Sequence, residues 1–317
     1  MSGSVLVLTR RMDPTADVVV DELNRRAIPV VRFDLGEMVV AAELVGSRWV
    51  GQLRIGNRSA RLEDTLGVYY RRPSQPTAPP GTDPHIGAWI EAEARWGLRG
   101  LLVALPRGLW VNWPPAVHAA EHKPWQLVEA AAAGLRVPRT AITNDPESAA
   151  GFTRDADPVL YKAFRAEPVC ISGKTHLVYA TPVDAQQCRS ESIRAAPVML
   201  QAQIDKAFDA RVTCVDGHVF AIAPRGVGGV VPLDWRVDHD ANQWQAVTVP
   251  ERVRVGLLDL LDRLGLRFAA CDFSVDHLGV WWHLEVNPAG QWAWDHPLRD
   301  AITSAIADAL TGEMAAP

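Results

Sequence analysis

Apolar residues follow two spacings along this chain, one typical of strands and one typical of helices. Residues 4–9 and 29–33 are short apolar runs of the strand type. Between them, helical spacing begins after Asp13, which is followed by a proline and makes a good helix start, and continues to about Arg26. A strand, a helix and a second strand in this order predict a parallel sheet with a crossover helix. The first loop lacks the glycine spacing of a dinucleotide-binding turn.

The following segment continues this mixed pattern. Apolar and polar residues alternate over residues 47–62, which predicts a hairpin, and residues 66–70 form another strand. A proline-rich stretch at 74–84 predicts a loop. Residues 86–104 have apolar positions at helical spacing and predict a long amphipathic helix.

Beyond residue 115 the pattern again mixes helices with strands. Helical spacing predicts three further helices, at residues 121–134, 250–264 and 297–311. Strand-like runs occur at 159–164 and 198–201 and in two hairpins, at 209–221 and 268–286.

The hairpin at residues 268–286 carries the strongest chemical signal. Its turn comprises residues 276–279 and ends in a glycine, which is free to adopt a positive φ. If the turn closes symmetrically, Val275 lies opposite Val280 and Asp272 lies opposite His283. The face away from Asp272 then carries apolar residues that we expect in the core: Phe273, Trp282, Leu284 and Val286.

Three polar side chains share the other face of this hairpin, because side chains alternate along a strand. Asp272, Glu285 and Asn287 offer two carboxylates and an amide oxygen. Such ligands suit a hard cation such as Mg²⁺, which usually keeps some waters and a substrate phosphate. The same spacing also fits a half-exposed hairpin with solvated acids, and the residues alone do not decide between the two.

Length and composition predict an ordinary globular protein with several packed lobes. The chain has 317 residues, of which 48% are hydrophobic and 22% charged. Its net charge of −5 argues against a nucleic-acid partner. The four cysteines have no metal-ligand spacing, no apolar run is long enough to span a bilayer, and the N-terminus reads as a strand rather than a signal peptide. We therefore expect a cytoplasmic protein without a nucleic-acid or membrane partner.

The hairpin motif resembles the metal-binding signature of the ATP-grasp ligases. The match consists of Asp272 and the sequence Leu-Glu-Val-Asn-Pro at 284–288. The extension Ala-Gly-Gln-Trp at 289–292 narrows the resemblance to the ATP-grasp ribosomal peptide maturases, which make graspetides of the microviridin type. The resemblance covers nearly the whole chain. It implies an α/β protein of the ATP-grasp fold, with an N-terminal parallel-sheet lobe and two α+β lobes that clasp a nucleotide.

This fold divides the chain into three expected domains. Residues 1–115 would form the N-terminal pre-ATP-grasp domain. Residues 116–197 would form the central subdomain, where the resemblance places the leader-peptide site. Residues 198–317 would form the C-terminal subdomain with the metal site.

Two lysines and one short segment are candidates for binding the nucleotide. Lys123 at a helix start is either a solvated side chain or a phosphate contact. Lys162 lies inside an apolar strand and needs a partner, which could be a phosphate or a structural carboxylate. The resemblance places both lysines near the ATP phosphates. It also identifies the segment around Gln201, Gln203 and Ile204 as the hinge that reads the adenine.

Several arginines and an aspartate are candidates for the chemical step. Arg211 matches the phosphate-contacting arginine of the family, although a surface cross-strand ion pair would also explain it. Asp234 and Arg236 lie on one side of an extended segment, which suits the orientation of a hydroxyl or a carboxylate, or simply a local ion pair. The resemblance places a similar Asp-x-Arg element beside the active site. Arg71 and Arg72 end a strand and are either an anion or peptide contact or a solvated strand end.

The resemblance implies an ATP- and Mg²⁺-dependent ligase that acts on a ribosomal precursor peptide with a leader and a core. It would activate Asp or Glu side chains as acyl phosphates and form ω-ester or ω-amide macrocycles with Thr, Ser or Lys side chains. One alternative is an ATP-grasp ligase for a small molecule, similar to glutathione synthetase or a glutamate ligase. Another is a non-catalytic nucleotide- or peptide-binding protein. The sequence leaves the oligomeric state open, with a homodimer as one option.

Overall fold

The structure, a computed structural model, describes residues 3–165, 169–176, 178–225, 233–234 and 243–312. The first lobe contains strands β1 Ser4–Leu8, β2 Val30–Phe33, β3 Val39–Val45, β4 Arg48–Ile55, β5 Arg58–Arg61, β6 Thr65–Tyr70 and β7 Trp110–Val111. Its helices are α1 Pro14–Arg25 and α2 Pro84–Val103. Four strands form a parallel sheet in the order β2-β1-β6-β7, and β3, β4 and β5 form a separate antiparallel sheet.

The predicted strand–helix–strand opening and its parallel sheet are confirmed. Asp13 caps α1, because its side chain accepts a hydrogen bond from Ala16 N, and Pro14 occupies the first helical position. The β4–β5 hairpin is confirmed as well. Strand β3, which pairs with β4 along its whole length, was not predicted. Its sequence is mostly apolar without alternation, and most of its residues are exposed, so no two-residue period marks it.

The middle lobe carries helices α3 Pro114–Ala120, α4 Lys123–Ala132 and α5 Pro146–Asp155. Its strands are β8 Thr140–Thr143, β9 Val159–Lys162, β10 Val169–Ile171, β11 Lys174–His176, β12 Thr181–Val183 and β13 Val198–Ala202. Four of them form an antiparallel sheet in the order β12-β9-β13-β8, and β10 pairs with β11. Helix α4 and strands β9 and β13 match the predicted elements, whereas α3 was not predicted. The bounds of the three expected domains stay predictions.

The C-terminal lobe is a five-stranded antiparallel sheet with two helices. The strands are β14 Lys206–Val215, β15 His218–Arg225, β16 Gln243–Ala246, β17 Phe268–Asp276 and β18 Trp281–Asn287, and the helices are α6 Glu251–Leu264 and α7 Arg299–Thr311. The sheet order is β16-β15-β14-β17-β18, which leaves β18 at one edge. Both predicted hairpins are confirmed, and α6 ends at Gly265 in the left-handed conformation.

The predicted register of the β17–β18 hairpin is wrong, because the turn is shorter than expected. Asp276 N donates to Val280 O at 3.1 Å, so the loop comprises only residues 277–279, with Gly279 at a φ of 76°. A glycine in the left-handed region is typical of the last position of a three-residue hairpin loop. Val275 therefore lies opposite Trp281 instead of Val280.

A β-bulge changes the register again before the strand reaches its acidic residues. Phe273 pairs with His283, but Asp272 pairs with Glu285, so Leu284 is an extra residue on β18. His283 is consequently not opposite Asp272 but fully buried in the core, where its ring lies edge-on to Phe273 at a centroid distance of 5.2 Å.

The bulge also corrects the expected apolar face of β18. Trp282 and Leu284, predicted in the core, are only half-buried, whereas Phe273 and Val286 are buried as expected. Trp282 faces Arg136, whose guanidinium carbon lies 5.8 Å from the ring centroid. Because Leu284 and Glu285 both point away from the core, the bulge keeps Glu285 and Asn287 on the same face as Asp272.

A shared apolar core joins the first lobe to the C-terminal lobe. Residues of β1, β6 and α1 pack with residues of α7 and with Phe268 and Trp292 in one cluster. Helix α7 approaches β6 so closely that a Cβ at Gly67 would collide with the Leu310 carbonyl. The N-terminal lobe is therefore packed firmly against the strands that carry the acidic residues. Among the described residues, no helix has the length and apolarity needed to cross a membrane.

Candidate functional site

A cleft lies between the sheet of the middle lobe and the sheet of the C-terminal lobe. It encloses about 880 Å³, including the part open to solvent. Eight of the residues singled out in the sequence line it: Lys123, Lys162, Gln201, Gln203, Ile204, Asp234, Asp272 and Glu285. Arg211 lies directly beneath Asp272, and Asn287 lies at the junction with a second cleft. Arg236 lies outside the described residues.

The three predicted metal ligands converge at one end of this cleft. The amide Nδ2 of Asn287 lies 3.2 Å from Asp272 Oδ2 and 3.1 Å from Glu285 Oε1. A half-turn of the amide would present its oxygen to the same point, so that three oxygen ligands would face one position. Oxygen donors in this number fit a Mg²⁺ ion that keeps further positions for water and phosphate. Their role as metal ligands stays a prediction.

Each carboxylate of this group is shared between Asn287 and a cation. Arg211 Nη1 lies 2.7 Å from Asp272 Oδ1, and Lys123 Nζ lies 2.9 Å from Glu285 Oε2. Arg211 and Asp272 are directly opposite each other on β14 and β17, and both are buried. The pair is therefore not the surface ion pair that the sequence also allowed. Two cations beside two acids keep the local charge nearly balanced and place positive charge where phosphates would enter.

Lys162 and Gln201 meet across neighbouring strands of the middle lobe. Lys162 Nζ donates to Gln201 Oε1 at 3.0 Å, and Gln201 Nε2 donates to Thr140 Oγ1 at 3.0 Å. The buried amide thus orients the lysine toward the cleft. Gln203 and Ile204 follow on the same wall, immediately after β13.

A buried polar group beside Asp234 was not predicted from the sequence. Lys206 Nζ lies 2.5 Å from Asp209 Oδ2 and donates to Leu233 O at 2.8 Å, while Ser274 Oγ donates to Asp209 Oδ1 at 2.7 Å. Burial raises the pKa of Asp209 above its usual value, and the Lys206 ammonium opposes this shift. The lysine thereby holds the backbone at Leu233 next to Asp234, which is itself buried.

Two buried amides that fix the acidic hairpin were also missed. Asn112 donates to Phe268 O at 2.7 Å and to Pro288 O at 2.9 Å, and its own oxygen accepts from Phe268 N at 2.8 Å. Gln126 exchanges two hydrogen bonds with the backbone of Val286, each 2.9 Å long. Val286 lies between Glu285 and Asn287, so Gln126 fixes the strand at the site itself. In the sequence, Gln126 is marked by its place one turn after Lys123, whereas its burial and its contact with Val286 follow from the packing of α4.

A second cleft adjoins the first and shares Lys123, Arg165 and Glu285 with it. It encloses about 1500 Å³, including the part open to solvent, and lies between the first lobe and the loop after Asn287. Its first-lobe wall contains the residues Arg10, Tyr70, Arg71, Arg72 and Pro73. Arg71 is buried and therefore not at a freely solvated strand end, whereas Arg72 is exposed on this wall.

Arg71 and Arg72 both contact the loop that follows Asn287. Arg71 Nη1 and Arg72 Nη2 donate to the Ala289 carbonyl, the second at 3.0 Å. The cleft wall and the acidic site are thus connected through a single loop.

Comparison with known proteins identifies the fold. No protein-family model matches the chain, and no curated protein does. Among solved structures, the macrocyclase MdnC of Microcystis aeruginosa MRC, bound to its precursor peptide MdnA, is 25% identical, with a TM-score of 0.85 over 98% of this chain and 99% of that one. An ATP-grasp ligase associated with RiPPs (ribosomally made, modified peptides) from Chryseobacterium gregarium was solved with ADP and a leader and core peptide. It is 23% identical, with a TM-score of 0.87 over 100% of this chain and 98% of that one.

A third solved structure is the ATP-grasp ligase PsnB, in complex with Mg, ADP and a variant of its minimal precursor. It is 21% identical to this chain, with a TM-score of 0.74 over 99% of each chain. The three matches span both chains almost completely, so the likeness extends to all lobes.

Proposed function

We propose that this chain, which has the fold of the ATP-grasp ligases that modify ribosomal peptides, is a peptide macrocyclase that uses ATP. One observation carries the proposal. The cleft between the two sheets and a larger arginine-lined cleft meet at Lys123 and Glu285. A phosphoryl group bound on one side can therefore reach a side chain presented from the other side without leaving the protein.

The proposed reaction has two steps. An Asp or Glu carboxylate of the core peptide attacks the γ-phosphate of ATP, which gives an acyl phosphate and ADP. A Thr or Ser hydroxyl, or a Lys amine, then attacks the acyl carbon and releases phosphate, which leaves an ω-ester or ω-amide ring. The peptide loses one water for each ring.

The charged residues of the site stabilise the negative charge during both steps. Asp272, Glu285 and Asn287 would hold Mg²⁺, which would neutralise charge on the ATP phosphates when bound. Lys123 and Arg211 lie against these acids at 2.9 and 2.7 Å, where they would contact phosphate oxygens. Preorganised cations of this kind are the main source of catalysis in phosphoryl transfer.

The opposite end of the cleft would hold the adenosine part of the nucleotide. Gln203 and Ile204 line the wall after β13, where backbone groups and the Gln203 amide are available to the base. Lys162, oriented by Gln201, would reach the phosphates from the middle lobe. These roles agree with those that the resemblance implies for the hinge segment and for the strand lysine.

Asp234 and Arg236 would orient the reacting groups of the peptide. Asp234 is buried on the cleft wall, which gives it a fixed direction. Arg236 would offer the planar pair of donors that suits a carboxylate. The leader peptide would bind in the central region, residues 116–197, and association into a homodimer is a further proposal.

The test is to incubate the protein with ATP, Mg²⁺ and the short peptides encoded beside it, and to count losses of one water by mass spectrometry. We expect one or more losses in a peptide rich in Thr and in Asp or Glu. Glu285→Ala should remain folded and give neither water loss nor ADP, because the Mg²⁺–nucleotide complex loses an anchor. Turnover by this variant at the wild-type rate would refute the assignment of Glu285 as a metal ligand. ADP release with free amino acids and none with peptides would instead identify a small-molecule ligase.

A further inference from the structure

Gln291 connects the first lobe to the arginine beneath the acidic site. Its side-chain Oε1 accepts from Thr15 Oγ1 at 2.5 Å and from Arg71 Nη2 at 2.7 Å. Its backbone carbonyl accepts from Arg211 Nη2 at 3.0 Å. The other arm of Arg211 lies against Asp272. One residue therefore contacts two groups of the N-terminal lobe on one side and the catalytic centre on the other.

The loop around Gln291 is packed closely against β17 and Arg211. A Cβ at Gly290 would lie 2.5 Å from Ala270 Cβ and 2.9 Å from Arg211 Nη2, so the loop backbone presses directly on the arginine and on β17. From the other side, Arg71 and Arg72 both donate to Ala289 O. The position of this loop therefore sets the position of the Arg211 guanidinium.

Burial makes these contacts costly to lose. Arg71 is 3% exposed and Arg211 is 6% exposed, and Arg71 has Asp13 Oδ2 as a more distant carboxylate at 3.7 Å. A buried guanidinium that loses an acceptor is strongly destabilised in its place and moves toward another partner. Removal of the Gln291 oxygen would leave Arg71 and Thr15 without this acceptor, and the loop would shift slightly as Arg71 moves toward another partner.

We propose that Gln291 is a positioning residue that holds Arg211 in the geometry needed for phosphoryl transfer, using the N-terminal lobe as its support. This inference rests on the proposed function. Arg211 would stabilise the transferring phosphoryl group only while its two arms are fixed between Asp272 and the Gln291 carbonyl. The contacts with Thr15 and Arg71 make the first lobe part of the catalytic apparatus.

The experiment compares Gln291→Met with Gln291→Glu. Met has a similar volume but no acceptor, whereas Glu keeps an acceptor for both donors. With the water-losing precursor peptide as substrate, kcat of Gln291→Met should fall by about ten- to a hundredfold, as expected for a misplacement of the order of 1 Å. Gln291→Glu should restore most of this loss. The affinity for ADP should change little, because the hinge is untouched.

A matched control separates positioning from simple attachment of the lobes. Arg26 on α1 also joins the first lobe to the C-terminal lobe, through Asp308 Oδ1 at 2.5 Å and Ser304 Oγ at 2.7 Å, far from the cleft. Arg26→Met should lower the melting temperature without changing kcat. An equal loss of kcat in Arg26→Met and Gln291→Met would overturn the proposal.

A second measurement needs no peptide and therefore distinguishes this inference from the proposed function. A non-hydrolysable ATP analogue with Mg²⁺ should raise the melting temperature of the wild type more than ADP with Mg²⁺ does, because Arg211 would contact the additional phosphate. Gln291→Met should lose this difference while keeping the ADP shift. If the difference and kcat both stay at wild-type values, the proposal is wrong. If Gln291→Met fails to fold, Thr15→Val serves instead, because it removes the hydroxyl that donates to Gln291 Oε1. A wild-type difference between the melting-temperature shifts with the ATP analogue and with ADP in that variant would also refute the proposal.

Discussion

At the scale of single residues, the site is organised by amides as much as by charges. Asn287 lies between the two carboxylates, Gln201 orients Lys162, and Gln126 fixes the backbone between Glu285 and Asn287. An amide can donate and accept at once, so it can fix two neighbours without adding charge to a buried place.

Gln126 gives the clearest test at this scale. Gln126→Met would leave the buried N–H and C=O of Val286 without their side-chain partner. Each such group costs about 1–3 kcal/mol, so the free energy of unfolding should fall by about 2–6 kcal/mol in urea titrations. The affinity for ADP with Mg²⁺, measured by calorimetry, should fall too, because Glu285 and Asn287 flank Val286.

The control for this change is Glu129→Gln on the same helix. Glu129 pairs with Arg263 at 3.5 Å on the surface, so its loss should cost no more than about 1 kcal/mol. If Gln126→Met is as stable as the wild type and binds nucleotide equally well, the amide does not fix the strand.

At the scale of elements, β18 shows how an edge strand is protected and used. Among the described residues no strand joins the sheet on its outer side, but Gln126 pairs with Val286, and His283 N donates to Arg136 O at 2.7 Å. Covering an edge in this way prevents association with other strands. It also fixes the strand that carries two of the three proposed metal ligands.

The contact between α7 and β6 gives a prediction for packing between elements. Gly67→Ala would force its methyl group into the Leu310 carbonyl, so the free energy of unfolding should fall by about 1–3 kcal/mol. Gly97→Ala is the control, because the added carbon inside α2 would meet no described atom within 4 Å other than its chain neighbours and its own helix backbone. That change should stabilise the protein by about 1 kcal/mol. Urea midpoints that move in the same direction for both variants would contradict the close approach.

At the scale of the whole molecule, three lobes meet around two clefts that share one group of charged residues. The N-terminal lobe shares a core with α7, and its arginines line the larger cleft. The middle lobe contributes Lys123 and Lys162, and the C-terminal lobe contributes the acids. No single lobe contains the complete site, so the lobes must stay assembled for activity.

The separation of clefts predicts that peptide binding and chemistry can be uncoupled. A core peptide without its leader should be modified slowly, and free leader added to the reaction should partly restore the rate, because the leader would bind away from the acidic residues. Mass spectrometry over time measures both rates. Equal rates with and without the leader would refute the prediction of a leader site in the central region and would favour a small-molecule ligase.

The sequence by itself determined the local elements of this protein. Asp13 before a proline starts α1, and Gly265 ends α6. Both helix ends were predictable because where a helix starts and stops depends on a few neighbouring residues. The two acids Asp272 and Glu285 and the amide of Asn287 were also apparent, because side chains alternate along a strand and the sequence therefore shows which of them share a face. The unalternating strand β3 and the short helix α3 lack such a local signal.

Only the tertiary structure decided the register of the acidic hairpin and the partners of its charges. The three-residue loop and the bulge at Leu284 placed His283 in the core, which symmetric closure of the turn did not predict. Gln291 meets Thr15 across 276 positions of the chain, and Arg211 meets Asp272 across 61. Local periodicity depends on neighbours a few residues apart, whereas these contacts depend on how packed lobes bring distant segments together.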